Sequence, residues 1–373
     1  MTPTRVERAR ERLGELLRAL DIPLLALITA LTAAGLLTLY SAAADNPGRF
    51  NDQLRNCAIA AIVLLACANL TPQALMRIAV PTYVVGVVLL LLVLVPSLGV
   101  SVKGARRWLD LRVTRVQPSE VLKIGVPLLL AWYFHRREGL VRARDYAAAA
   151  LLLAIPVLLI AREPDLGTAL LVLASGLFVI FLAGVPWRWL AGIAAGSVAL
   201  APFAWALMHD YQRSRVLILL DPSSDPLGKG FHALQSMIAI GSGGVLGKGW
   251  MQGTQTHLEF IPERSTDFIF AVYSEEFGLL GNVLLLALYL GLIGRALEIA
   301  GSATTLFSRL LAGSIALVIF TYAFVNMGMV SGVLPVVGVP LPFVSYGGTA
   351  LVSLAMLCGF LMAIQRHRKG ATG

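Results

Sequence analysis

The chain has 373 residues, 57% hydrophobic and only 14% charged, with a formal net charge of +9. A soluble domain carries about 25% charged residues, and several windows here exceed the roughly 20 apolar residues that span a bilayer. A soluble globular protein is therefore excluded, and an all-α polytopic membrane protein is expected. The positive balance calls for no nucleic acid, because basic residues on cytoplasmic loops set membrane orientation.

From the N-terminus, five arginines precede a run from Ile22 to Tyr40 that is longer than a signal-peptide core. It reads as an uncleaved first span rather than a signal ending at Ala42-Ala43-Ala44. Ten spans are predicted, at about 21–43, 54–71, 78–99, 119–134, 146–161, 166–185, 189–208, 267–294, 307–330 and 344–365. They form one integral domain over 1–373, with a large extracytoplasmic loop, 209–266, between spans seven and eight. An even count puts both termini on one side. The arginines of the first 18 residues, the tail Gln365-Arg-His-Arg-Lys369 and four arginines between His135 and Arg144 make that side cytoplasmic. Cys57, Cys67 and Cys358 all lie in apolar segments and read as small buried hydrophobes, not as a metal set or a disulfide framework.

Two outer segments run against the orientation rule. The 20-residue loop from Ser101 to Glu120 carries Lys103, Arg106, Arg107, Arg112 and Arg115; the long loop carries Arg213, Arg215, Lys229, Lys248 and Arg264. A long loop crosses largely regardless of charge, but a short one with five basic residues works against its own topology. An anionic ligand would offset that cost. Within the long loop, Phe231, Leu234 and Ile238 have the spacing of an amphipathic helix. The run Gly241-Ser-Gly-Gly-Val-Leu-Gly-Lys-Gly249 follows. It fails the phosphate-loop pattern, with Ser242 for the first Gly and Gly249 for Ser or Thr, and reads as a turn that brings backbones close.

Four groups carry candidate chemistry. Asp267 stands where the long loop meets a new apolar helix, and an acid at a membrane interface is a functional candidate; its plain structural reading is a helix cap with Ser265 and Thr266. Glu120 and Lys123, at i and i+3, share a helix face at the start of the fourth span, either as a structural pair or as the lining of a polar cavity. Arg162-Glu-Pro-Asp-Leu-Gly167 joins two spans, and Asp165 is a cap or a second interfacial acid. Val339-Pro-Leu-Pro-Phe-Val-Ser-Tyr-Gly-Gly-Thr-Ala350 interrupts the helical pattern before the last span, as irregular backbone does where it lines a cavity. No Ser-His-Asp order, H-E-x-x-H or nucleotide fingerprint is present.

These pieces resemble the SEDS family (shape, elongation, division and sporulation), in its elongation, RodA-like branch. The resemblance rests on the order of Gly104-Ala-Arg-Arg-Trp-Leu109, Gln117-Pro-Ser-Glu-Val-Leu-Lys123, Glu163-Pro-Asp-Leu-Gly-Thr168, Tyr211-Gln-Arg213, Gln235-Ser-Met-Ile-Ala-Ile-Gly241, Gly253-Thr-Gln255, Pro262-Glu263 with Thr266-Asp-Phe268, and Pro342-Phe-Val-Ser-Tyr-Gly-Gly348. It implies ten spans in the bacterial cytoplasmic membrane and a glycosyltransferase polymerising lipid II into peptidoglycan on the outer side. It also implies a class B penicillin-binding transpeptidase and other elongation-complex membrane proteins as partners. The family's essential aspartate falls on Asp267 and its interfacial ion pair on Glu120 and Lys123. Substrate contacts are then expected from these residues and from Arg106, Arg107, Gln117, Ser119, Asp165, Arg213, Arg215, Thr266 and Ser345. Two positions depart from the pattern: Ser265 replaces a common His, and Glu163 replaces a common Gln, adding a negative charge beside Asp165.

Arginine forks suit the pyrophosphate of lipid II, and a carboxylate suits the base that deprotonates the acceptor hydroxyl. A single carboxylate fits inverting attack without a covalent intermediate. A divalent cation, Mg or Mn, is compatible, with Asp267 its only candidate protein ligand. A lipid-linked precursor flippase, a positioning scaffold and a division or sporulation paralogue are the competing readings. Charges clustered at the outer side favour surface chemistry over translocation.

Overall fold

The computed structural model describes residues 20–95, 99–102, 105–110, 115–163, 165–208, 213, 217, 229–257 and 263–369. Arg215, Lys103, Arg112 and the N-terminal arginines lie outside these. Among the described residues there are ten helices of 17 residues or more. They are α1 (Ile22–Ala42), α2 (Pro47–Ala68), α3 (Pro72–Leu94), α4 (Pro118–His135), α5 (Ala143–Arg162), α6 (Leu166–Leu182), α7 (Trp187–Leu207), α10 (Ile269–Gly301), α11 (Leu306–Val330) and α12 (Gly348–Lys369). Two shorter ones, α8 (Lys229–Ser242) and α9 (Thr254–His257), belong to the long loop. Six of the long helices, α1, α3, α5, α10, α11 and α12, are long and apolar enough to cross a membrane. The buried Glu120 and Lys123 dilute α4, a polar first half dilutes α2, and α6 has only 17 residues.

Helix starts follow local chemistry more closely than hydropathy does. Proline occupies the first turn of α1, α2, α3 and α4, where its missing N–H costs nothing. Asp21, Thr71 and Thr305 cap α1, α3 and α11 through side-chain oxygens. Hence α2 begins at Pro47 instead of 54: its first two turns are polar, which hid them from an apolar count. Likewise α3 begins at Pro72 rather than 78 and ends at Leu94, and α12 begins at Gly348 rather than 344.

Two features correct the expected architecture. The chain is not all-α, because in the basic loop before α4 β1 (Gly99–Val102), β2 (Ala105–Asp110) and β3 (Arg115–Val116) form an antiparallel sheet in the order β1-β2-β3. And α10 is not one rod. Gly278, at φ 63° and ψ −159°, breaks it into a buried segment, 269–277, and a membrane-length helix, 279–301.

The glycine turn of the long loop packs on that break. The N–H groups of Lys248 and Gly249 donate to the carbonyls of Glu275 and Glu276, each at 3.0 Å. Leu279 and Leu280 donate to the carbonyls of Gly244 (2.9 Å) and Val245 (3.1 Å). Groups orphaned by a helix break are thus satisfied by a second backbone. Contact is close enough to require glycine: a Cβ on Gly243 would sit 2.2 Å from the Ser274 oxygen, and one on Gly247 would sit 2.1 Å from the Glu276 oxygen. The turn expected from sequence is present, and this is the backbone it approaches.

The helix before it, α8, buries a different face from the one predicted. Ala233, Ser236 and Ala239 face inward, with Ser236 Oγ donating to the Val330 carbonyl at 3.0 Å, while Leu234 and Ile238 are exposed. Small residues let α8 lie close against α10 and α11, and the larger apolar residues point outward.

Candidate functional site

The expected site residues that the structure describes gather largely at one end of the bundle. The starts of α4 and α6, the sheet, the turn before α10 and the segment before α12 meet there.

Asp267 sits in a turn over 263–268, half-buried. The turn is opened by Glu263, a non-glycine residue at φ 55°. Its carbonyl accepts from Thr266 N at 2.9 Å and from Phe268 N at 3.4 Å. The N-cap of α10 is Phe268, with no side-chain capping bond, so Asp267 is not the helix cap that the sequence suggested. Instead the surrounding backbone is held from the neighbouring elements. Asn326 Nδ2 donates to the carbonyls of Asp267 (2.9 Å) and Val339 (2.7 Å). Ser345 Oγ donates to the Thr266 carbonyl and accepts from Leu341 N, both at 2.7 Å, and Tyr346 N donates to the Ser265 carbonyl at 2.9 Å. Ser345 is thereby occupied as a brace. Thr266 Oγ1 turns back to Glu263 Oε2 at 3.0 Å. Phe343, on the bracing segment, is also left-handed at φ 63°. Non-glycine residues held in that region cost on the order of 1–3 kcal/mol each and cluster at functional sites.

Asp165 is the centre of a second cluster. It caps α6, accepting from Thr168 N at 3.2 Å, and its Oδ2 accepts from both Arg107 and Gln117 at 3.2 Å. The cap reading is therefore met, and the same carboxylate also holds Arg107 and Gln117. Glu163 is 2% exposed. Burial and the neighbouring Asp165 carboxylate push its pKa up to about 8, against the pull of Arg107. The charge anticipated beside Asp165 is thus held largely as a neutral acid. Arg107 Nε, Ser119 Oγ and Glu163 Oε1 are buried without a hydrogen-bond partner in the structure. Such groups are rare in folded proteins, and water or a ligand can satisfy them.

The third group is the ion pair. Lys123 Nζ lies 2.6 Å from Glu120 Oε1, Ser353 Oγ donates to Glu120 Oε2 at 2.9 Å, and the ammonium sits 5.4 Å from the centre of the Tyr322 ring. Both charges are at least nine-tenths buried, so the pairing reading holds.

Val337 and Gly338 form a shared wall. A Cβ on Gly167, two residues after Asp165, would come 2.7 Å from the Val337 oxygen; one on Gly338 would come 3.2 Å from Asp267 Oδ2. The Asp165 and Asp267 groups therefore flank two successive residues of one segment.

Not every expected residue joins this site. Arg213 donates from Nε and a terminal nitrogen to the carbonyls of Trp205 (3.0 Å) and Ala206 (2.7 Å), closing the end of α7. Arg106 lies on β2, its side chain outside the described set, as is Arg215. Among the described residues, no group of three His, Cys, Asp or Glu side chains could hold a metal. Conversely, Asn326, Tyr322, Ser353 and Gln53 went unnoticed in sequence. Gln53 Nε2 donates to the Ser345 carbonyl at 3.3 Å, and its Oε1 accepts from Gly347 N at 3.3 Å. Asn326 had a usable signal, being an amide in an otherwise apolar span. The Gly-Thr-Gln element also gains a purpose: Thr254 Oγ1 (3.1 Å) and Gln255 N (3.0 Å) donate to Glu275 Oε1, which Lys248 Nζ approaches to 2.7 Å.

Comparison with known proteins places this architecture. The peptidoglycan glycosyltransferase MrdB of Escherichia coli K12 is 49% identical over 352 residues, covering 94% of both chains. A probable peptidoglycan glycosyltransferase FtsW of Geobacter metallireducens is 36% identical, covering 94% of this chain and 96% of its own. Among solved structures, a chain of a peptidoglycan synthase complex that coordinates polymerization and crosslinking superposes with a TM-score of 0.81 at 38% identity, covering 93% of this chain and 98% of that one. The rod shape determining protein RodA of Thermus thermophilus gives 0.71 at 31%, covering 93% and 97%. The profile of the FtsW, RodA and SpoVE cell cycle proteins matches residues 22–370, and the chain belongs to that family.

Proposed function

We propose that this integral membrane protein is a peptidoglycan glycosyltransferase of the elongation type, polymerising lipid II at the Asp267 end of the bundle. The observation that carries the reading is the setting of Asp267: a half-buried carboxylate on a strained, externally braced turn, across a two-residue wall from a basic and acidic cluster with unpaired buried donors. The higher identity to MrdB than to FtsW supports elongation over division.

In this mechanism Asp267 accepts the proton of the acceptor sugar hydroxyl as its oxygen attacks the anomeric carbon of the donor. The bond to the lipid pyrophosphate breaks as the new glycosidic bond forms, with inversion. Negative charge grows on the departing pyrophosphate, where the unused donors of Arg107 stabilise it. The Glu120–Lys123 pair, held by Ser353 and Tyr322, is a positioning element that ties the start of α4 to α11 and α12. A Mg or Mn ion, if bound, would have Asp267 as its protein ligand and would supply charge that neutralises the departing group.

The topology goes with this reading: ten spans, both termini cytoplasmic, the site on the outer face of the bacterial cytoplasmic membrane. A class B penicillin-binding transpeptidase is the expected partner, supported by the likeness to a synthase complex that joins polymerization to crosslinking. The test is lipid II polymerisation by purified protein. Asp267→Asn retains volume, so the fold should persist while the rate falls by about 10²–10⁴. A folded Asn variant with unchanged rate would overturn the assignment.

A further inference from the structure

At the opposite end of the bundle, the foot of α3 and the last turn of α4 line an open cleft of about 450 Å³ formed by Met76, Arg77, Val80, Trp132, His135 and Arg136. We infer that it is a binding site for an anionic phospholipid, with the phosphate on Arg77 and Arg136 and an acyl chain on the apolar floor.

Three observations converge. The lining contains two guanidinium groups from different helices and no acid. The one imidazole, His135, already faces Glu138 at 3.4 Å. Neighbouring Arg137 is neutralised by Asp145 at 2.9 Å, whereas Arg77 and Arg136 make no ion pair among the described residues. The Arg136 guanidinium is instead seated 5.0 Å from the centre of the Trp132 ring. That contact fixes its direction while leaving its donors for phosphate oxygens. Orientation signals alone require no convergence of two guanidinium groups on one cleft; basic pockets between spans are a recognised form of lipid headgroup site.

The second half of the ligand is read from α3. Arg77 stands at the foot of a stripe formed by Val80, Val84, Val88 and Leu91, spaced three or four residues apart and all exposed. At 1.5 Å per residue the stripe from Arg77 to Leu91 is about 21 Å long, enough for a chain crossing one leaflet of a hydrocarbon core roughly 30 Å thick. A free phosphate would use the arginines but not the stripe, so the amphiphile is the better match.

The experiment is lipid retention by the full-length protein in native mass spectrometry, after reconstitution in mixed phosphatidylglycerol and phosphatidylcholine. The native protein should keep phosphatidylglycerol selectively. Arg77→Gln with Arg136→Gln should lower that retention by roughly a hundredfold, about tenfold for each lost guanidinium–phosphate contact, with thermal melting unchanged in neutral lipid. The control, Arg144→Gln with Arg368→Gln, removes two charges from the same end outside the cleft and should retain the lipid. Equal loss in the control would show a diffuse surface effect and overturn the site. So would retention unaffected by the first pair. Displacement by millimolar inorganic phosphate, or preference for an isoprenoid phosphate, would overturn the assigned ligand.

Discussion

Arg107 and Asp165 meet at 3.2 Å, joining a strand of the outer sheet to the first turn of a helix 58 residues further on. This pair gives one of the five basic residues of the loop before α4 a use within the fold. Part of that charge is consumed in holding the sheet over the bundle, and the rest of the guanidinium faces the site. Arg107→Lys keeps the charge but removes the planar fork. It should weaken lipid II binding on the order of tenfold, the worth of one charge-assisted hydrogen bond, without changing affinity for bulk phosphatidylglycerol. Equal losses for both lipids would deny the arginine a selective role.

The ion pair of Glu120 and Lys123 has unlike neighbours: a hydroxyl donor on the carboxylate and an aromatic face on the ammonium. Exchanging the two residues would therefore place each charge against the wrong partner, and a swap is not expected to restore function. Lys123→Ala should destabilise by about 3–5 kcal/mol by stranding a buried carboxylate. Lys123→Met with Glu120→Gln should recover most of the melting temperature but not the polymerisation rate. Full activity in that double variant would reduce the pair to scaffolding.

Gly247 and Gly244 are both left-handed, at φ 80° and 57°, but only Gly247 faces backbone. Gly244→Ala should cost about 1–2 kcal/mol, the conformational penalty alone. Gly247→Ala must in addition push residues 274–278 away, and should abolish folded expression or lower the melting temperature far more. Similar melting shifts would mean that the backbone brace contributes little.

The pH response of Glu163 has a definite sign. Its folded pKa, about 8, lies above the ordinary 4.5, so folding favours the protonated acid. The stability it contributes is complete below about 4.5 and is lost as pH rises through about 8. Glu163→Gln should remove this dependence, flattening the melting temperature between these limits and raising it most at the alkaline end. An unchanged pH profile in the Gln variant would place the titration elsewhere.

Much of this was readable in the sequence, because long apolar runs and proline starts are local signals. The helical class, the Glu120–Lys123 pair and the cap at Asp165 follow from spacing within one element, whereas several helix starts did not. What was hidden depends on contacts across elements. The sheet before α4 alternates too briefly among basic residues to declare itself. The break at Gly278 follows Ser274-Glu-Glu276 inside an otherwise apolar span, and periodicity cannot distinguish a glycine that packs from one that turns. Asp267 was found by its charge at an interface, but its bracing by Asn326 and Ser345 spans 59 and 79 residues.

The interruption at Gly278 also separates two mechanical demands. A continuous helix in a bilayer of altered thickness changes its tilt as a rod, and any residue at its end is carried along. Here the rod 279–301 begins at a fixed point: Leu279 and Leu280 are bonded to the glycine turn on one side of the break, as the carbonyls of Glu275 and Glu276 are on the other. Asp267 stands beyond that anchor, on a turn held by Asn326, Ser345 and Tyr346. Its position is set by contacts within the protein, at a distance from the part of the helix that lipid can tilt.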